Sequence, residues 1–141
     1  MNTVKHAGSC LCGQVHVSLK GEPVMAALCH CLHCQKTSSS AFSLVVLAKA
    51  DDVTIEGTPA SYTDRGDSGE EVTRLFCGKC GSPIETATAG TRAGGMRILK
   101  AGVFAEQAPF TPALEIYCFR RHDWLPKLTN AASFERMPPP Q

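Results

Sequence analysis

Seven of the eight cysteines in this chain of 141 residues lie in three short clusters. The clusters have the forms Cys-x-Cys, Cys-x-Cys-x-x-Cys and Cys-x-x-Cys, and they contain Cys10 and Cys12, then Cys29, Cys31 and Cys34, then Cys77 and Cys80. Close-spaced thiolates of this kind are typical ligands of zinc. One or two buried cysteines could be small apolar core residues, but seven at these spacings are very unlikely to arise by chance. The sequence therefore predicts zinc binding.

The first and third clusters together offer four sulfurs, which is the number that a closed tetrahedral zinc site needs. Residues i and i+2 of an extended strand face the same side, so a Cys-x-Cys pair can present two sulfurs to one ion. Gly81, directly after the last of these cysteines, can adopt the positive φ of a tight zinc-binding turn. We predict a structural zinc bound by Cys10, Cys12, Cys77 and Cys80.

The middle cluster offers three sulfurs within six residues, from Cys29, Cys31 and Cys34. Three protein ligands and one open position are typical of a reactive zinc centre rather than a structural one. A fourth thiol or a water molecule could take the open position. We therefore expect two zinc ions per chain, one structural and one catalytic.

Two other interpretations of the clusters compete with this assignment. His30, His33 or Cys118 could complete the middle cluster, so that every bound metal would be structural. Alternatively, the Cys77–Cys80 pair could be a redox pair of the thioredoxin type. That motif belongs at the start of a helix, whereas Gly-Ser-Pro follows here, so we reject the redox interpretation.

The hydrophobic pattern favours strands over helices. Residues 15–19 alternate between apolar and polar side chains, which is typical of a half-buried strand. Further strands are predicted at 42–47, 53–55, 71–76, 84–86 and 96–104. Residues 32–39 predict one short helical turn, and residues 114–119 fit either a helix or a strand. We predict one mainly β domain over residues 1–130 and a frayed tail over residues 131–141.

The composition argues against several classes of function. The formal net charge of +1 argues against a broad surface for nucleic acid or for anionic membranes. No apolar run approaches the roughly 20 residues of a membrane-spanning helix, and the first residues lack the apolar core of a signal peptide. We therefore expect a cytoplasmic protein, in which reduced cysteines bind metal rather than form disulfides. The oligomeric state stays open.

Three motifs, in this order, resemble those of the glutathione-dependent formaldehyde-activating enzyme family, which also includes centromere protein V. They are GSCLCGQV at residues 8–15, CHCLHCQK at residues 29–36 and FCGKCGSPI at residues 76–84. The resemblance covers residues 8 to 124. It implies a small β-tent of stacked antiparallel sheets, stabilised by zinc, and it implies the same division into a structural and a catalytic zinc.

The reaction that the resemblance implies is the reversible joining of glutathione and formaldehyde to S-hydroxymethylglutathione, a carbon–sulfur lyase reaction. A zinc with three thiolates could hold the sulfur of a small thiol such as glutathione as a thiolate. His33 is our candidate for the proton shuttle, and Lys36 is our candidate partner for a glutathione carboxylate. His30, between two ligands, is expected to be a packing residue. The alternative function is a zinc-stabilised binding module without catalysis, which an exposed apolar patch would favour.

Overall fold

The computed structural model describes residues 3–107 and 110–139. Within these residues the fold is mainly β, with eleven strands and two short α-helices. The strands are β1 (His6–Ser9), β2 (His16–Leu19), β3 (Met25–Cys29), β4 (Ser43–Lys49), β5 (Val53–Glu56), β6 (Ala60–Arg65), β7 (Glu71–Phe76), β8 (Pro83–Thr88), β9 (Met96–Lys100), β10 (Leu114–Ile116) and β11 (Ala132–Ser133). The helices are α1 (Leu32–Ser38) and α2 (Ala89–Ala93), and 3₁₀ turns occupy Ala50–Asp52, Ala101–Phe104 and Cys118–Arg120.

The strands form two sheets. A three-stranded sheet has the order β1-β2-β5, and an eight-stranded sheet has the order β11-β10-β3-β4-β9-β8-β7-β6. Neighbouring strands are antiparallel, apart from β10, which runs parallel to both β3 and β11. The predicted mainly β fold with antiparallel sheets is therefore confirmed, with one parallel strand inserted near the edge of the larger sheet.

The hydrophobic core lies between the two sheets. Val17 and Leu19 of the small sheet are buried together with Val46 and Leu99 of the large sheet, and Phe104 fills the space beside them. The alternation that predicted a strand at residues 15–19 is thus the alternation of a strand with one face in the core. Burial of these apolar side chains drives the two sheets together.

The opposite face of the large sheet carries polar residues. Cross-strand pairing places Cys29 opposite Ser43, Val45 opposite Lys100, and Arg74 opposite Thr86. Paired residues in a ladder share a face, and successive residues of a strand alternate between faces. The face of the large sheet that points away from the core is therefore lined by the residues that alternate with the core residues. The middle cysteine cluster lies on this face.

Most predicted elements are present with shifted ends. The strand predicted at 71–76 is confirmed at its full length, and the helical turn near residue 32 is confirmed as α1. The strand predicted at 96–104 ends at Lys100, because the chain then turns into a 3₁₀ segment. The ambiguous segment 114–119 divides into β10 and a 3₁₀ turn. None of the helices in residues 3–107 and 110–139 is both long enough and apolar enough to cross a bilayer.

The segment expected to be frayed after residue 130 is hydrogen-bonded between residues 132 and 136. Strand β11 pairs with β10. The backbone N–H groups of Cys118 and Tyr117 then donate to the carbonyls of Phe134 (3.0 Å) and Arg136 (3.2 Å). These bonds satisfy backbone groups of the turn after β10. Residues 140 and 141 lie outside the described residues, and the limits of the domain at 1–130 stay a prediction.

Candidate metal centres

The sulfurs of the first and third clusters lie together as one group. The Sγ atoms of Cys10, Cys12, Cys77 and Cys80 are all within 4.8 Å of one another. The Sγ–Sγ distances Cys10–Cys12 and Cys12–Cys77 are both 3.7 Å. Four sulfurs around a tetrahedral zinc with Zn–S bonds of about 2.3 Å are about 3.8 Å apart. The donor set and its spacing therefore fit a structural zinc.

Two similar turns bring these sulfurs together. The N–H of Gly13 donates to the carbonyl of Cys10 (3.1 Å), and the N–H of Gly81 donates to that of Cys77 (2.8 Å). Both glycines have positive φ, +83° and +82°, so the prediction for Gly81 is confirmed. The premise that Cys10 and Cys12 share a face of an extended strand is wrong, because β1 ends at Ser9 and Cys12 lies in the turn.

Hydrogen bonds to two sulfurs of this group favour the thiolate form that binds metal. The N–H of Val15 donates to the Sγ of Cys10 (3.2 Å), and the hydroxyl of Ser82 lies 3.2 Å from the Sγ of Cys80. Hydrogen bonds from the side chain and backbone of Ser82 lower the pKa of Cys80 to about 5. Because zinc binds thiolates rather than thiols, a lowered pKa favours the state that binds metal.

The middle cluster forms a second group at the junction of β3 and α1. The Sγ atoms of Cys29, Cys31 and Cys34 lie within 4.8 Å of one another, and all three residues are buried. Cys29 is the last residue of β3, and Cys31 is the N-cap of α1, where its sulfur accepts the N–H of Cys34 at 3.3 Å. Hydrogen bonds from the thiols of Cys29 and Cys34 lower the pKa of Cys31 to about 2, whereas the same contacts raise the pKa of Cys29. The contacts within the cluster therefore favour one thiolate, at Cys31, with the pKa values of Cys29 and Cys34 raised beside it.

Buried polar contacts of His30, which lies between two cysteines of the middle cluster, connect the cluster to β10. His30 is fully buried, and its Nε2 lies 2.9 Å from Oε1 of Glu115 on β10. The other carboxylate oxygen of Glu115 lies 3.3 Å from Nη2 of Arg121 and accepts the N–H of Leu128 (3.0 Å). His30 is therefore the packing residue that the sequence predicts, and Glu115 ties the strand that bears it to the C-terminal segment.

Tyr117 packs against the middle cluster in a strained backbone conformation. Its side chain is buried in one apolar cluster with the three cysteines. Its φ of 55° lies in the left-handed region, which a bulky side chain rarely adopts. Burial raises the pKa of the Tyr117 hydroxyl, and the nearby negative charges of Cys29 and Cys31 raise it further. Tyr117 thus stays a neutral phenol beside the sulfurs.

The three sulfurs face a cavity of about 370 Å³. Its lining includes Tyr117 and five charged or titratable side chains, which are His33, Asp67, Glu70, Arg74 and Lys100. Arg74 Nε donates to Oδ1 of Asp64 (3.1 Å). The Nζ of Lys100, a residue only 7% exposed, donates to the hydroxyl of Ser43 at 3.1 Å. The cavity therefore places the three sulfurs beside walls that carry both cationic and acidic side chains.

The two predicted catalytic residues lie in different places relative to this cavity. His33 lines it, with Nε2 3.6 Å from Asp64 and Nδ1 3.5 Å from Asp67. Lys36 is exposed and does not line the cavity, although it shares a neighbouring groove with His33 and Arg74. Cys118 is not part of the three-sulfur group among the described residues, and its Sγ accepts a hydrogen bond from Arg121 at 3.2 Å.

Sequence reasoning missed Lys100, Arg74 and Ser43, which lie on different strands of the large sheet. No motif marks them, because cross-strand pairing and not sequence proximity brings Lys100 and Arg74 to the cavity and Ser43 to Lys100. Lys100 follows Ile98 and Leu99 at the end of β9, and a lysine at a strand end is usually a surface residue. The available signal was the alternation of faces along β7, which places Arg74 on the same face as Val72.

Comparison with known proteins agrees with the motifs. The family model of the glutathione-dependent formaldehyde-activating enzyme matches residues 5–120. Among curated proteins, none matches the chain. A crystal structure of a Rhodobacter sphaeroides protein is similar, with a TM-score of 0.52 and 16% identity, over 69% of this chain and 85% of that chain. At this identity the likeness shows the fold alone. Because the family model spans most of the sequence, the chain belongs to the glutathione-dependent formaldehyde-activating enzyme family.

Proposed function

We propose that the chain is a zinc-dependent carbon–sulfur lyase that joins a small thiol, glutathione by family membership, reversibly to formaldehyde. We also propose two zinc ions per chain, one on each sulfur group, and a cytoplasmic location. The observation that carries the reaction is the group of three buried sulfurs at the floor of a cavity. Three ligands leave one coordination position for a substrate, which is typical of catalytic and not of structural zinc sites.

The chemistry requires an ionised thiol and a route for one proton. Zinc bound by three thiolates would supply the positive charge that keeps an incoming thiol ionised at neutral pH. The thiolate sulfur then bonds to the carbonyl carbon of formaldehyde. The π electrons of the carbonyl pass to its oxygen, which takes up a proton equivalent to the one that the thiol lost. The reverse step breaks the same carbon–sulfur bond and returns both components.

His33 is our proposed carrier of that proton. Its ring lines the cavity, and it lies between the carboxylates of Asp64 (3.6 Å) and Asp67 (3.5 Å). An imidazole ring can accept a proton at one nitrogen and release it again, so His33 could carry the proton from the thiol to the oxygen. The two aspartates also orient the ring, as the acidic partner of a catalytic histidine does.

Lys36 is our proposed partner for a carboxylate at the distal end of the substrate. It lies one turn of α1 beyond His33, and both residues line the groove that continues outside the cavity. A tripeptide thiol whose sulfur sits over the cysteines is long enough for one end to lie in this groove. Because Lys36 is exposed, the ion pair contributes only about 0–1 kcal/mol.

Cobalt substitution tests whether a thiol reaches the three-sulfur group. Tetrahedral cobalt absorbs visible light, and its spectrum changes when sulfur replaces oxygen as a ligand. We expect glutathione to shift the spectrum and its S-methyl analogue, which has no ionisable thiol, to leave it unchanged. In a Cys31→Ser variant the thiol-dependent change should disappear. A spectrum that responds to no thiol would remove the basis for this reaction.

One surface feature favours the second candidate function, a zinc-stabilised binding module. Trp124 is 72% exposed and stacks on His122, with ring centroids 5.4 Å apart. The ring of Phe119 lies beside two guanidinium groups, those of Arg120 (4.9 Å) and Arg136 (4.4 Å). Exposed aromatic and arginine side chains are frequent in protein interfaces. If purified protein with two zinc ions forms no S-hydroxymethylglutathione, this candidate becomes the better one.

A further inference from the structure

Lys100 is a buried cation without a carboxylate partner among the described residues. It is 7% exposed, and its one hydrogen bond is the 3.1 Å contact from Nζ to the Oγ of Ser43. None of the ion pairs in the described ranges includes it. Burying an ammonium group is costly unless an anion compensates it. No carboxylate among the described residues therefore serves as the negative partner of the Lys100 ammonium group.

The sheet register directs Lys100 toward the three-sulfur group. Ser43, which accepts the hydrogen bond of Lys100, is the cross-strand partner of Cys29. Lys100 is paired with Val45, two residues further along the same strand, so it lies on the diagonal from Cys29. Bonding to Ser43 draws the ammonium group along this diagonal toward the sulfurs. Both Lys100 and the three cysteines line the same cavity.

The other charged groups of the cavity already have partners. Arg74 is bound to Asp64, and Asp67 faces His33. Glu70 accepts the backbone N–H of Gly90 through Oε1 at 2.9 Å. Thr86, the cross-strand partner of Arg74, lines the same cavity, and its Oγ1 is buried without a hydrogen-bond partner in the described residues. The wall that carries Lys100 is therefore the part of the cavity with unused capacity for an anion.

The charge balance of the site indicates which anion pairs with Lys100. Three thiolates and one zinc ion sum to about −1, and a fourth thiolate would bring the sum to about −2. A low-dielectric cavity makes that additional charge costly unless a cation lies beside it. We propose that Lys100 is a catalytic residue whose ammonium group pairs with the thiolate of the substrate, so that the enzyme accepts small thiols through their sulfur. This inference rests on the proposed function.

Thiol binding by Lys100 variants tests the inference. In the cobalt-loaded protein, Lys100→Met should weaken binding of glutathione about 10- to 100-fold, the range of one charge-assisted hydrogen bond. Mercaptoethanol, which has no carboxylate, should lose affinity by the same factor, because the lost contact is to sulfur. Lys100→Arg should retain most of the affinity, and Ser43→Ala should weaken binding less, about 3- to 10-fold. Lys49→Met is the matched control, since Lys49 ends β4 as Lys100 ends β9 but is exposed.

Each other outcome overturns a distinct statement. Equal thiol affinity of Lys100→Met and the unmodified protein would overturn the role of Lys100 and leave the proposed function intact. Loss of glutathione affinity alone, with mercaptoethanol unaffected, would assign Lys100 to a carboxylate and overturn its pairing with sulfur. Loss of bound metal in both Lys100→Met and Lys100→Arg would make the residue structural and overturn the inference as well. Failure of the unmodified protein to bind any thiol would overturn the proposed function itself.

Discussion

Glu115 shows how one buried side chain supports a site that it does not line. It is 1% exposed and contacts His30, Arg121 and the N–H of Leu128. Glu115→Ala would leave His30 and Arg121 without their anion, and removal of one partner of a buried pair costs about 3–5 kcal/mol. We expect a loss of this size in the free energy of unfolding, measured by urea denaturation. Glu106→Ala, on the exposed surface, is the control and should leave the midpoint unchanged.

The pH dependence of stability provides a second test of Glu115. Burial raises its pKa, but the hydrogen bonds from Leu128 and His30 and the charge of Arg121 outweigh that effect, so the pKa is lowered. A lowered pKa stabilises the fold above the unfolded value of about 4.3. This contribution is lost as the pH falls through the folded value. Glu115→Gln should therefore flatten the acid side of the stability curve, and an unchanged slope would contradict the assignment.

At the residue scale, the sequence identifies the candidate metal ligands better than it identifies the residues around them. The seven cysteines are recognisable because cysteines at these short spacings are typical zinc ligands, and each cluster lies within six residues of sequence. Lys36 was chosen as the cation because it is near the cluster in sequence. Lys100 lies far from the cluster in sequence and reaches it only through the pairing of β4 with β9. No sequence pattern near the cysteine cluster marks a residue that reaches it only through strand pairing.

At the element scale, a close backbone contact joins β1 to the 3₁₀ turn Ala101–Phe104. A Cβ added at Gly8 would lie 1.8 Å from the carbonyl oxygen of Val103, which is a backbone atom and cannot move aside. We expect Gly8→Ala to destabilise the protein by about 1–3 kcal/mol, as overpacking does, and to lower its thermal midpoint. Gly102→Ala is the matched control, because no atom lies within 4 Å of its added Cβ. Equal melting of both variants would contradict this contact.

The strands that were missed lack the alternation that reveals the others. The sequence MAALC of β3 is buried at four of its five positions, so it shows no polar side and could not be separated from other apolar runs. Strand β6 has the opposite character, because ASYTDR is mostly exposed at the edge of the sheet. In contrast, β7 alternates and was predicted with its full bounds. Polar and apolar side chains alternate along a strand only where one face is exposed to solvent and the other is buried. Only some strands of this fold have both faces.

At the scale of the whole molecule, the four-sulfur group connects the two sheets. It joins the turn between β1 and β2 to the turn between β7 and β8. Structural zinc contributes about 10–16 kcal/mol in small modules, against a net stability of about 5–15 kcal/mol for a domain. Cys77→Ser should therefore unfold the protein. Cys31→Ser should remain folded and bind one zinc instead of two, because it disrupts only the three-sulfur group.

Circular dichroism and elemental analysis of the two variants and of the unmodified protein would check this difference. The unmodified protein should contain close to two zinc ions per chain, and the three-sulfur group should lose its ion first because it has fewer ligands. Equal unfolding by Cys77→Ser and Cys31→Ser would show that both groups are structural. A single firmly held ion that persists in Cys31→Ser would contradict the two-site scheme.

The bridge between the sheets also affects how a newly made chain matures. Cys12 and Cys77 are 65 residues apart in sequence although their sulfurs are 3.7 Å apart. At about 5–20 residues per second, a ribosome needs about 3 to 13 s to add the second half of this site after the first. During that interval the N-terminal thiols are open to oxidants and to competing metal ions. We therefore expect the yield of protein with the proposed zinc in this group to depend on zinc supply and reducing conditions during synthesis.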